Sequence, residues 1–128
     1  MRILLDTNAL LWAMNKSDFL PPRWRQQILN SDNDLWVSSI SLAEIAIKVS
    51  IGKLPWQSYW SLEDLARLLR ARDLPFVSHH AVRLRSLPLH HRDPFDRMLI
   101  AQAQVEDLAV MTTDRQFAAY GVKLVPAA

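Results

Sequence analysis

Residues 2–8, RILLDTN, contain a short apolar strand-forming run that ends at Asp6, where sequence with a helical period begins. Three more acids lie near the start of a predicted helix: Glu44 in VSSISLAEIAIK (37–48), Asp96 in HRDPFDRMLIAQA (91–103) and Asp114 in VMTTDRQF (110–117). In a parallel sheet all strands point the same way and the crossover helices start at one edge. The pattern therefore predicts that four acids distant in sequence meet at that edge.

The remaining sequence alternates short apolar runs with longer helix-period segments, which is typical of an α/β domain. Strands are predicted at Arg2–Leu5, Leu35–Ser38, Pro75–Val77, Ala109–Thr112 and Val122–Val125. Helices are predicted over 8–15, 23–30, 40–51, 60–71, 81–86, 94–106 and 115–120, with Pro22 and Pro94 in helix first turns and Gly52 after a helix end. We expect a doubly wound parallel sheet of about five strands flanked by helices.

Composition limits the classes of protein to which the chain can belong. Its 128 residues are 50% hydrophobic, which predicts one domain over 1–128. The absence of cysteine excludes disulfides and thiolate chemistry, and two glycines are too few for a phosphate-binding loop. The formal charge of +2 permits an anionic partner. Neither an export signal nor a membrane span is recognisable, so we expect a cytoplasmic protein without a membrane partner.

Four converging carboxylates repel one another, and either proton uptake or a bound cation relieves that repulsion. Oxygen ligands alone suit Mg²⁺ or Mn²⁺ better than Zn²⁺. The sequence therefore predicts a divalent-metal site formed by Asp6, Glu44, Asp96 and Asp114.

Each acid also has a purely structural interpretation. Asp6 and Asp114 could simply cap the helices that follow them, and Asp96 could interact with a helix dipole. Asp93, directly before Pro94, is the natural cap of its helix.

Glu44 has capping-box spacing from Ser41 and ion-pair spacing from Lys48. It also lies on an apolar stripe that we expect to face the sheet: Ile40, Ala43, Ile47 and Ile51. A carboxylate buried there needs a partner, which favours the ligand interpretation.

Other polar and aromatic residues carry weaker signals. The adjacent pairs His79–His80 and His90–His91 cannot easily bind one metal together, so we expect loop or surface histidines. Arg97 and Arg115 each follow an acid and could bind phosphates. An aromatic patch at Trp56 and Trp60 could serve a protein interface.

The chain resembles PIN-domain ribonucleases, and in particular VapC toxins of toxin–antitoxin pairs. Four strings in order carry the resemblance: ILLDTNALLW, SSISLAEIAIKVSIGKL, DPFDRMLIAQA and TTDRQF. It implies that Asp6, Glu44, Asp96 and Asp114 are the acidic quartet. Asn8 and Thr112 match accompanying polar residues that would position the quartet, and Asp93 would be an outer contributor.

The resemblance further implies endonucleolytic cleavage of RNA that depends on Mg²⁺ or Mn²⁺, by water activated at the metal. It also implies a homodimer and a cognate antitoxin that blocks the groove near the metal.

Other classes stay open. A PIN-fold RNA-binding or scaffold protein would not cleave RNA, and a housekeeping RNA-processing nuclease would have no antitoxin. A receiver-like signalling module would need an Asp at the end of the third strand, which PFVSHH does not supply. A haloacid-dehalogenase-like phosphatase would need an acid where Asn8 stands.

Overall fold

The computed structural model describes residues 1–55, 61, 64 and 67–128. Within these residues, four parallel strands form one sheet in the order β3-β2-β1-β4: β1 Arg2–Leu5, β2 Asp34–Ser38, β3 Arg72–Leu74 and β4 Ala109–Met111. Leu4 pairs with Trp36 on one side and with Val110 on the other. The chain therefore builds the sheet from β1 outward to β3 and then returns to the opposite side of β1, so the sheet is doubly wound as predicted.

Helices cover both faces of the sheet. They are α1 Thr7–Met14, α2 Pro22–Leu29, α3 Ser39–Ser50, α4 Ser78–Ser86 and α5 Pro94–Glu106, followed by a 3-10 helix, Arg115–Tyr120. Pro22 and Pro94 open their helices as predicted, because a first-turn N–H has no partner within the helix. Gly52 follows α3 with φ of +74°, a conformation that glycine adopts without strain.

The central strands have hydrophobic residues on both faces. Ile3 and Leu5 are buried in the core that also contains Leu10 of α1 and Trp24 of α2. Leu4, between them, faces a second core with residues of α5. A parallel sheet covered on both sides requires such uninterrupted apolar strands.

Two of the predicted strands need correction. The third lies at Arg72–Leu74 and not at Pro75–Val77, because Pro75 has no N–H and ends the ladder. The fifth is reduced to one parallel bridge between Val110 and Leu124. Pro126 follows closely and cannot extend it as a donor.

Two helices also differ from the prediction. Helix α4 starts at Ser78, three residues earlier than expected, because the side chain of His80 accepts a hydrogen bond from the Val77 N–H (3.0 Å) and caps the first turn. Helix α3 buries Ser41, Glu44 and Ile45. The predicted buried stripe is therefore wrong: Ile47 and Ile51 are 47% and 58% exposed.

The predicted helix over 60–71 lies partly outside the described residues; of the part that is described, Asp64, Arg67 and Leu68 are helical. Trp56 and Trp60 lie outside the described residues. Within the described part, no helix combines the length and apolar character needed to cross a bilayer.

Strand order determines where a site can form. The order in which strands are added to the sheet reverses between β1 and β4, and crevices at such a switch point lie beyond the carboxyl ends of the strands. Asp6 directly follows β1, and Asp114 lies three residues after β4. The fold therefore brings these two acids together, as the sequence predicted.

Candidate metal centre

Asp6 serves both as a helix cap and as a member of the acidic cluster, the name used below for Asp6, Glu44, Asp96 and Asp114. Its Oδ1 accepts a hydrogen bond from the Ala9 N–H (2.8 Å) and so caps α1. The side chain is buried and also interacts with the hydroxyl of Thr112. The capping and ligand interpretations are therefore compatible, because the cap occupies only one of two carboxylate oxygens.

Glu44 is buried in the middle of α3, with a partner on each carboxylate oxygen. Thr7 Oγ1 donates to Oε1 (2.6 Å), and Lys48 Nζ donates to Oε2 (2.6 Å). The capping box with Ser41 does not form, since Ser38 caps the helix by accepting from the Ile40 N–H. The predicted Lys48 ion pair does form.

Asp96 and Asp114 meet at a histidine. His91 Nε2 lies 2.7 Å from Asp114 Oδ2 and 3.1 Å from Asp96 Oδ2. Within the described part of the chain, one potential ligand atom from each of these three residues lies within 4.8 Å of the others. Asp114 Oδ1 meanwhile accepts from the Gln116 N–H and caps the 3-10 helix.

Burial and mutual repulsion disturb the titration of two acids. Desolvation by burial raises the pKa of Asp6 to about 6. Hydrogen bonds from Thr112 and Ala9 oppose this rise, and the charges of Glu44 and Asp114 add to it. Desolvation by burial raises the pKa of Asp96 to about 7, with a further contribution from the charge of Asp93. The charges of Asp6 and Glu44 raise the pKa of Asp96 as well. Asp6 and Asp96 thus lie within electrostatic range of other acids of the set, whereas the close ligand group among the described residues contains Asp96 and Asp114 with His91, and neither Asp6 nor Glu44.

Residues predicted to support the acids occupy different positions. Thr112 is buried, and its Oγ1 accepts from the Asp114 N–H (3.0 Å), so it connects Asp6 with Asp114. Asp93 caps α5 by accepting from the N–H groups of Phe95 and Asp96. Asn8 is exposed, and the buried Thr7 contacts Glu44 instead.

The two arginines also differ from each other. Arg97 donates to the carbonyls of Pro88 (2.9 Å) and Leu87 (3.3 Å), so its guanidinium fastens the segment that precedes α5. Arg115 is exposed at the start of the 3-10 helix and stays a candidate for binding phosphate.

Sequence reasoning missed His91 and Thr7. The expectation of loop or surface histidines was wrong for His80, which is buried within α4, whereas His91 lies in a loop as expected but is buried there. Their positions in the sequence could have indicated them: His91 lies two residues before the cap of α5, and Thr7 directly follows Asp6. Residues next to a helix start share the sheet edge with the acids.

The donor set fits a divalent cation. It offers carboxylate oxygens from several elements. Burial is the main cause of the raised pKa values of Asp6 and Asp96, the charges of neighbouring acids add to it, and a bound cation would stabilise the charged forms. Carboxylates favour Mg²⁺ and Mn²⁺.

The raised pKa values predict how stability changes with pH without metal. The ordinary value of both acids is 3.8, so from about pH 4 to about pH 7 the folded protein binds more protons than the unfolded chain. Stability is therefore lost as pH rises through this window. Asp96→Asn removes one of the titrating groups, so it should lose less stability than the parent between pH 5 and 7.5, by on the order of 2 kcal/mol.

Urea unfolding in EDTA at the two pH values measures this difference. An identical pH dependence in parent and variant would show that Asp96 titrates normally.

Comparison with known proteins identifies the family. The sequence model described as "PIN domain" matches residues 3–123. The comparison with curated proteins gives no match. Among solved structures, the chain is similar to FitAcB from Neisseria gonorrhoeae, with 23% identity, a TM-score of 0.74, and 98% of this chain and 97% of that chain covered.

It is also similar to VapBC2 from Rickettsia felis bound to a promoter DNA fragment, with 20% identity, a TM-score of 0.73 and 98% of each chain covered. DNA-bound VapBC from Salmonella typhimurium gives 20% identity and a TM-score of 0.65, with 100% of this chain and 99% of that chain covered. At these identities the likeness concerns the fold. Because the family model spans nearly the whole sequence and the observed sheet agrees with it, this chain belongs to the PIN domain family.

Proposed function

We propose that this protein is a Mg²⁺- or Mn²⁺-dependent endoribonuclease of the VapC type, acting in the cytoplasm as the toxin of a toxin–antitoxin pair. The convergence of Asp6, Glu44, Asp96 and Asp114 at the switch point of the sheet carries the proposal. Membership of the PIN domain family and the fold shared with VapBC and FitAB chains support it.

In this proposal Asp96 and Asp114 hold the cation most directly, and Asp6 and Glu44 complete the site directly or through water. The cation would activate a water molecule and neutralise charge that develops on the scissile phosphate. The chain's own contribution is to hold the four carboxylates in place. Thr7 fixes one oxygen of Glu44, and Thr112 connects Asp6 with Asp114.

Lys48 is the group best placed to meet the RNA backbone. Its side chain is 47% exposed, and its ammonium group contacts Glu44 at the edge of the cluster. The hydrogen bond to Glu44 raises the pKa of Lys48, and the charges of Asp93 and Asp96 act in the same direction. Lys48 therefore remains protonated and can bind a phosphate oxygen beside the acids.

The exposed surface at the C-terminal end of α3 is the docking site that we propose for the antitoxin. Ile47 and Ile51 form an apolar surface beside the helix turn that carries Glu44, and exposed apolar surface of this kind commonly serves protein interfaces. An antitoxin bound there would lie near the acids and block access of RNA. The proposal also includes a homodimer, as the family resemblance implies.

Expression in a bacterial host tests the toxin assignment. We expect the parent chain to arrest growth, and co-expression of an antitoxin encoded next to its gene to relieve the arrest. Asp96→Asn should be harmless. Asp107→Asn is the matched control, because Asp107 has φ of +55° at the far end of α5 and Asn also tolerates that conformation. Arrest by Asp96→Asn would mean that the toxicity is not nucleolytic.

A further inference from the structure

The histidine between Asp96 and Asp114 has a defined hydrogen-bonding role. The Asp93 backbone N–H donates to His91 Nδ1 (3.1 Å). A nitrogen that accepts a hydrogen bond carries no proton, so the ring proton lies on Nε2. Nε2 therefore faces the oxygens of Asp114 and Asp96 as a donor.

The ring is held in this orientation from several sides. Tyr120 Oη accepts from the His91 backbone N–H (2.9 Å) and donates to the Pro88 carbonyl (2.7 Å). Arg97 binds the same segment through the Pro88 and Leu87 carbonyls. The rings of His91 and Phe117 pack edge to face, at an interplanar angle of 87°. His91 is thus a buried, fixed donor.

We propose that His91 is a positioning residue of the metal centre: its Nε2–H holds the Asp96 and Asp114 carboxylates together for a shared cation, without binding the cation itself. This inference rests on the proposed function. A direct ligand would need a lone pair on Nε2, which the Asp93 N–H at Nδ1 disfavours. Groups that orient metal ligands in this way typically change metal affinity by about 10- to 100-fold.

The structure offers a matched control in His80. It is also buried, its Nδ1 accepts from a backbone N–H (Val77, 3.0 Å), and its Nε2 lies 2.9 Å from a carboxylate oxygen of Glu106. Glu106 ends α5, whereas Asp96 lies in its first turn, about 15 Å away along the helix. His80→Leu therefore removes an equivalent buried histidine away from the metal centre.

Mn²⁺ affinity of the antitoxin-free protein tests the role by titration with detection of free Mn²⁺ by electron paramagnetic resonance. We expect His91→Leu to raise the Mn²⁺ dissociation constant about 10- to 100-fold. His91→Gln should recover most of the affinity, because its amide N–H reaches a similar position. His80→Leu should leave the affinity unchanged. Unchanged affinity in His91→Leu would overturn the inference.

A second measurement, made on the parent protein, distinguishes a positioning role of His91 from direct binding of Mn²⁺ by its ring. Electron spin-echo spectroscopy of the Mn²⁺-loaded parent should show no coupling to a directly bound imidazole nitrogen. A coupling that disappears in His91→Leu would make His91 a ligand and overturn the positioning role. Failure of the proposed function looks different, because the parent itself would then bind no Mn²⁺, which would remove this role as well.

Discussion

RNA cleavage by the antitoxin-free protein is expected to require Mg²⁺ or Mn²⁺, to stop in excess EDTA, and to fall more than about a hundredfold in Asp96→Asn. The magnitude follows because substitutions of groups that merely orient metal ligands already cost about 10- to 100-fold. Asp96 lies closer to the proposed cation than such groups do, and its pKa of about 7 indicates a strongly perturbed site.

Initial rates on a structured RNA, measured at saturating Mn²⁺, check this prediction. Asn should preserve the fold, because residue 96 caps no helix and its backbone N–H remains bonded to Asp93. Asp107→Asn should cleave at the parental rate. Cleavage that continues in excess chelator would refute the metal mechanism, and no cleavage under any condition would favour a PIN-fold RNA-binding or scaffold protein.

The acidic cluster could be predicted because it depends on topology more than on side-chain packing. Asp6 and Asp114 follow neighbouring parallel strands, and the ends of such strands share one edge. The burial of Glu44 was also predicted correctly, but from a wrong stripe. Ile47 and Ile51 are exposed, so the apolar period of α3 does not mark its buried face. An apolar surface that a partner could cover has the same sequence pattern as a core surface.

Apart from Lys48 and Thr112, the hydrogen-bond partners of the acids could not be predicted from sequence. Whether Thr7 or Asn8 reaches Glu44 depends on how α1 is rotated against α3. His91 enters the site because Tyr120 and Arg97 hold the preceding segment; the Tyr120 contact spans 29 residues of chain, and the Arg97 contact to Pro88 spans 9. The third strand was misplaced for a different reason: the prediction started it at Pro75, whereas β3 ends at Leu74 because Pro75 has no N–H to donate to the ladder.

The second prediction with a large expected effect concerns how Mn²⁺ changes the stability of the parent and of its variants. Without metal, Asp6→Asn or Asp96→Asn removes a charge from a repelling cluster, so each variant should be at least as stable as the parent. Mn²⁺ should reverse that order. Metal at a hundredfold its dissociation constant stabilises the native state by about 2.7 kcal/mol. For a domain of this size the gain is on the order of 10 °C in melting temperature.

The central claim, that these carboxylates jointly hold a divalent cation, is tested most directly by the Mn²⁺-induced change in melting temperature. It is measured for the parent, Asp6→Asn, Asp96→Asn and the control Asp107→Asn, each in EDTA and in saturating Mn²⁺. We predict a rise on the order of 10 °C for the parent and Asp107→Asn, and a much smaller rise for the other two. Equal rises in all four proteins would contradict the claim, because the ion would then bind elsewhere.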